Sequence, residues 1–231
     1  MSADKTLSWS YTEEFPIEPE VAAQARLRGI ELGTAPVTPA TGAALRMLAA
    51  SVAARSVAEI GTGTGVSGLW ILDGMGPDGV LTTIDVEPEI QREARRAFES
   101  VGRTRSRTRV IRGRASDVLP RMAARSYDMV VLDVEPEESA ALIDQALRML
   151  RVGGVLAVTR ALWNDHVADP ARRDPATVAA RELGKALREH EDLFTSLLPG
   201  QQLSWAVLQA ARQRREPHRY QKSQAFYFRC V

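Results

Sequence analysis

Apolar residues fall along this chain in short runs that alternate with helical stretches. The runs Ser56–Ile60, Val80–Ile84, Arg109–Arg112, Asp128–Leu132, Val155–Thr159, Phe194–Leu198 and Ser204–Gln209 read as strands. Several, such as Met129-Val130-Val131-Leu132, are almost continuously hydrophobic, as strands covered on both faces are. Between them the period lengthens. Pro88 to Val101 opens with proline and acids and continues with arginines, the order a helix dipole favours. Glu137 to Leu150 gathers Ala141, Ile143, Ala146, Leu147 and Leu150 mostly on one face, and Gly153-Gly154 is expected to end that helix. The last two strands are separated by Pro199-Gly200-Gln201-Gln202-Leu203, too short for a crossover helix, so they should be antiparallel neighbours. The pattern predicts an α/β fold: a seven-stranded, mostly parallel sheet with helices on both faces and a terminal antiparallel hairpin. Residues 12–55 read as a helical cap over the sheet's ligand edge, broken by a loop at 34–39.

The stretch Val57-Ala-Glu-Ile-Gly-Thr-Gly-Thr-Gly-Val-Ser-Gly68 is the most specific in the chain. A strand ends beside an acid, Glu59, and glycines alternate at Gly61, Gly63 and Gly65 before a helix opens. Without Cβ atoms, such a turn lets the backbone lie against a ligand. The spacing Gly63-x-Gly65-x-x-Gly68 also fits a nicotinamide-dinucleotide turn, but a pyrophosphate wants bare N–H groups and no neighbouring anion. An acid at Glu59 suits a cationic or hydroxyl-bearing ligand instead, such as the amino group of S-adenosylmethionine.

Open parallel sheets bind ligands beyond the carboxyl ends of their strands, so the residues following each strand are the candidates. Thr62 and Ser67 lie in or just after the glycine turn, where the Ser67 hydroxyl could hold a ligand carboxylate at the helix start. Asp85 closes the second strand, and an ionised carboxylate has enough lone pairs to accept both hydroxyls of a ribose. It could equally cap the helix that begins at Pro88. Gly113-Arg114-Ala115-Ser116-Asp117 offers small residues to flank an adenine, and Asp133 follows the fourth strand.

Composition adds little. Apolar residues make up 45% and charged residues 26% of 231 residues, ordinary for a globular protein of one domain. The amino terminus shows no basic-then-apolar leader, no apolar run is long enough to span a membrane, and Cys230 is the single cysteine, so a reducing cytoplasm is expected. The net charge of +1 conceals a basic tail in which Arg212, Arg214, Arg215, Arg219, Lys222 and Arg229 face Glu216 alone. Residues 1–210 are read as one domain and 211–231 as a solvated tail that could touch nucleic acid.

The glycine turn, Thr83-Ile-Asp85, Gly113-x-Ala-Ser116, Tyr127-Asp-Met-Val-Val-Leu-Asp133 and Gly153-Gly-Val-Leu-Ala-Val158 occur in a telling order. Together they resemble the catechol and caffeoyl-CoA O-methyltransferase family, with its small bacterial members, over residues 30–209. The resemblance implies a Rossmann-like class I methyltransferase fold, S-adenosylmethionine as donor, S-adenosylhomocysteine as product, a small hydroxylated acceptor and a homodimer. It places Val37, Glu59, Gly61, Thr62, Ser67, Asp85, Ala115 and Asp133 around the donor, with Gly63, Gly65 and Ser116 in the same motifs.

The chain departs from that family at the reacting centre. Active members hold a divalent cation with an Asp after the fourth strand and an Asp-Asn pair after the fifth, and a Lys three residues beyond the first Asp takes the proton. Here Asp133 stands, the pair is Thr159-Arg160, and Pro136 occupies the Lys position. One carboxylate is a poor donor set for a hard cation, so no metal site is assigned. Arg160 would put a permanent charge where the cation sits, either orienting an acidic or phenolate acceptor or merely pairing with Asp133. His166 is the nearest general-base candidate, and the competing reading is a surface histidine. The expectation is therefore an O-methyltransferase independent of, or weakly dependent on, metal. An RNA-modifying methyltransferase using the basic tail and a donor-binding protein that has lost catalysis are the alternatives.

Overall fold

The computed structural model describes residues 3–102, 106–198 and 203–209. Three helices lead: α1 (Ala3–Glu14), α2 (Glu20–Glu31) and α3 (Pro39–Ser51). Then strands and helices alternate as β1 (Ser56–Ile60), α4 (Val66–Gly74), β2 (Val80–Asp85), α5 (Pro88–Ser100) and β3 (Thr108–Arg112). They continue as α6 (Ala115–Val118), β4 (Tyr127–Leu132), α7 (Pro136–Met149), β5 (Leu150–Thr159), α8 (Pro175–Glu189), β6 (Leu193–Ser196) and β7 (Leu203–Gln209). The sheet order is β3-β2-β1-β4-β5-β7-β6. The five strands from β3 to β5 are parallel, and β7 runs antiparallel to both β5 and β6.

Period-two alternation explains why both faces are covered. Ala58, Ile60, Val130, Leu132, Leu156 and Val158 belong to one buried cluster, which α7 and α8 complete with Leu142, Ala146, Leu183 and Leu187. The intervening Val57, Met129, Val131, Val155 and Ala157 join a second cluster with Leu45 and Ala49 of α3, Ile71 and Leu72 of α4, and Phe98 of α5. The central strands are thus sandwiched between helical layers, as their unbroken apolar sequences require.

Two local readings need correction. Gly153 and Gly154 do not end a helix; α7 stops at Met149 and the chain enters β5 at once, so both glycines lie within a strand. A register shift between Tyr127 and Met129 against β5, with Gly153 at φ +74°, absorbs the early entry. The amino-terminal helical region also begins at Ala3, ahead of the expected residue 12. The turn residues 199–202 and the basic tail lie outside the described residues.

β1 and β4 are neighbours whose following chains turn to opposite sides, which makes their carboxyl ends the switch point. A cavity of about 390 Å³ opens there.

Candidate active site

The glycine turn after β1 forms the floor of this cavity, and its shape follows from contacts that exclude side chains. Gly61 has φ +96°, and a Cβ there would sit 2.2 Å from the Asp133 carbonyl oxygen. Gly65, at φ +91°, caps the start of α4, where a Cβ would press on Phe98 and Ala94. Thr64 donates to the Ala25 carbonyl at 2.6 Å, fastening the turn to α2.

Asp85 grips the same turn from the next strand. Its Oδ2 accepts the Gly63 N–H at 3.1 Å, and its Oδ1 accepts the Glu87 N–H at 3.1 Å. Each oxygen keeps lone pairs for a ligand. The helix cap proper is Glu87, so Asp85 is not the cap of α5.

Glu59 lies beneath the turn and is fully buried. The Thr83 hydroxyl donates to its Oε2 at 2.7 Å, and that hydroxyl in turn accepts from Thr62, also at 2.7 Å. Oε1 has no partner in hydrogen-bond geometry. Burial pushes the carboxyl up to about 8; the Ser67 and Thr83 hydroxyls oppose the shift, and the charges of Asp133 and Asp85 add to it.

At the end of β5 the chain slips register at Thr159 and turns left-handed at Arg160, φ +60°. Both residues address Asp133. The Thr159 hydroxyl donates to Asp133 Oδ1 at 2.5 Å, and Arg160 Nε donates to the same oxygen at 3.3 Å. Arg160 Nη2 donates to the Ala35 carbonyl at 2.8 Å, and Nη1 lies 3.8 Å from Glu135. Nε and Nη2 are thus hydrogen-bonded within the protein, and Nη1 faces Glu135 at ion-pair distance only.

These residues do not suit a divalent cation. Asp133 Oδ1 is occupied by two donors, a cationic guanidinium stands beside it, and no group of three or more His, Cys, Asp or Glu able to hold a metal occurs among the described residues.

Of the expected site residues, Val37, Gly61, Thr62, Gly63, Ser67, Asp85, Ala115, Asp133 and Arg160 line the cavity. Glu59, Gly65 and Ser116 stand behind the lining rather than in it. His166 also lies off it, on a 3-10 turn (His166–Ala168). Sequence reasoning missed the run Gly33–Pro36 and the acids Glu135 and Glu138, which join the wall. The loop's prolines signalled a break over the ligand edge, and the strand-end rule extends naturally into the first turn of α7.

Residues 18–202 match the family model described as O-methyltransferase. The chain belongs to the O-methyltransferase family. Relatives include a Mycobacterium tuberculosis protein named as an O-methyltransferase, 46% identical over 204 residues, 88% of this chain and 90% of the relative. A Mycobacterium ulcerans protein of the same description is 47% identical over 195 residues, 84% and 86% of the two chains. The crystal structure of a Corynebacterium glutamicum protein superposes with TM-score 0.83 at 33% identity, covering 93% of this chain and 100% of that one. The O-methyltransferase TomG of Streptomyces achromogenes, solved with S-adenosylmethionine, shares the fold at TM-score 0.76 and 23% identity, covering 91% and 100%.

Proposed function

We propose that this O-methyltransferase takes its methyl group from S-adenosylmethionine and passes it to the hydroxyl of a small acceptor without a divalent cation. The observation that carries the donor assignment is the pairing of Asp85 with the Gly63 N–H beside a buried, partly unpartnered Glu59. The ribose hydroxyls fall to Asp85. Ile84, Val86, Ile90 and Ala115 give the apolar wall an adenine needs. Glu59 lies under the turn with Thr83 donating to its carboxyl, and an ammonium bound above the turn would favour its ionised form over the protonated one that burial prefers.

In the transfer, the acceptor oxygen forms a bond to the methyl carbon while the carbon–sulfur bond breaks, and its electron pair stays on sulfur as S-adenosylhomocysteine. Asp133 receives the hydroxyl's hydrogen bond and proton, a role supported by its position in the cavity wall. His166, off the cavity wall, is not needed. With a sulfonium leaving group, positioning supplies much of the rate. The RNA-directed alternative rested on the basic tail, outside the described residues, and nothing in the family match supports it.

A homodimer in the cytoplasm completes the reading. Leu7, Tyr11, Phe15 and Ile17 near the amino terminus are largely exposed, an apolar surface suited to a second copy. No helix among the described residues is long and apolar enough to cross a membrane. Titration calorimetry with S-adenosylhomocysteine tests the donor assignment. Binding is expected; silence, with tight binding of a nicotinamide dinucleotide, would refute it.

A further inference from the structure

The connection between α2 and α3 forms a strap across the cavity, with Gly33, Thr34, Ala35, Pro36 and Val37 all in its wall. It leaves α2 through Gly33 at φ +76° and packs closely on Gly29, where a Cβ would meet Pro36 and Thr34 at 2.7 Å. Two arginines hold its carbonyls. Arg26, fixed by Glu18, donates to Val37. Arg160, from the far side of the cavity, donates to Ala35. Thr34 packs its buried, unpartnered hydroxyl against Gly29 of α2.

The two arginines differ in what else they hold. Arg26 and Glu18 belong to the strap's own side of the fold. Arg160 is anchored at the reacting centre, through Nε to Asp133, which also receives the Thr159 hydroxyl. One guanidinium, four-fifths buried, thus links the end of β4, the end of β5 and the middle of the strap. The strap lies along one wall of the cavity, and the Arg160–Ala35 bond is the tie that fastens it to the opposite side.

We propose that Arg160 is a positioning residue that latches the Gly33–Val37 strap over the methyl donor and, through Asp133, couples retention of the donor to the acceptor end of the site. The role rests on the donor assignment made above. It accounts for a permanent cation here without assigning it the acceptor: Nε is committed to Asp133 and Nη2 to the strap. A lysine could not serve both partners at once, because the planar guanidinium alone points separate donors at Asp133 and Ala35.

The test compares the full-length chain with Arg160→Met, Arg160→Lys and the exposed α5 control Arg96→Met, using S-adenosylhomocysteine as the probe. Dissociation rates are read by surface plasmon resonance, and kcat and the donor KM by methyl-transfer assay. Arg160→Met is expected to speed dissociation at least about tenfold, a change of about 1.4 kcal/mol, and to raise the donor KM by a similar factor with a smaller change in kcat. Arg160→Lys, which keeps the charge and one contact, should fall between, and Arg96→Met should match the unsubstituted chain. Dissociation within about twofold of the unsubstituted rate in both Arg160 variants, or a loss confined to kcat, would overturn the latch and place the guanidinium on the acceptor. Failure of the unsubstituted chain to bind the probe would instead overturn the donor assignment, and the latch with it.

Discussion

The Asp85 carboxylate accepts the backbone N–H of Gly63 at 3.1 Å, so the residue assigned to the donor's ribose also shapes the turn beneath it. Asp85→Asn keeps an acceptor for that N–H but loses the charge and half of the acceptor capacity. Affinity for S-adenosylhomocysteine should fall about 10- to 100-fold, equivalent to roughly 1.4–2.8 kcal/mol, with little change in the thermal midpoint. Calorimetry and differential scanning fluorimetry on the same samples check both halves.

The buried Glu59 makes stability depend on pH. Its carboxyl, ordinarily near 4.5, is pushed up to about 8 in the folded chain, chiefly by burial. Folding therefore favours the protonated form. The contribution is fully present below the unfolded value, is lost as pH rises towards about 8, and does not change beyond it. The midpoint of the ligand-free protein should decline between about pH 5 and about pH 8, and Glu59→Gln should flatten that slope. Thermal melts across that range decide it; parallel slopes would remove Glu59 as the cause.

Gly61 and Gly63 separate close approach from backbone strain. Both have positive φ, +96° and +49°, but only at Gly61 would a Cβ meet the Asp133 carbonyl, at 2.2 Å. Gly63→Ala should cost about 1–2 kcal/mol, the price of a left-handed alanine. Gly61→Ala should cost roughly 1–3 kcal/mol more, because the end of β4 must shift. Urea unfolding measures the difference, and equal costs would contradict the packing.

Much of this was legible in the sequence because the signals are local. The strand β1 has the bounds its apolar run indicated, and the glycine turn and Asp85 fall where strand ends require. Gly153-Gly154 misled because a helix-ending signal and a bulged strand entry use the same residue. Arg160 was legible as a charge at the cation position, yet its hold on Ala35 was not: those residues are 125 apart in the chain, and no periodicity encodes a contact that distant. The left-handed backbone at Arg160 and Trp163 is equally unmarked, since neither side chain favours that region. His166 was singled out by proximity in sequence, which the intervening turn breaks.

The departure from the metal-binding pattern can be reversed by design. Thr159→Asp combined with Arg160→Asn removes the two donors on Asp133 Oδ1 and adds carboxylate and amide oxygens beside it. The double variant should gain a calorimetric signal with Mn²⁺, with a Kd below about 1 mM, where the unsubstituted chain shows none. Equal binding by both would mean that the Thr159-Arg160 pair is no barrier to a cation.

The most direct measurement follows label from S-adenosylmethionine into a panel of phenols and catechols, with the protein stripped of metal and kept in excess chelator. Transfer at a rate within about threefold of that with added magnesium is expected, since Arg160 already holds the position a cation would take and positioning carries the rate. Transfer that vanishes in chelator and returns only with magnesium would contradict it.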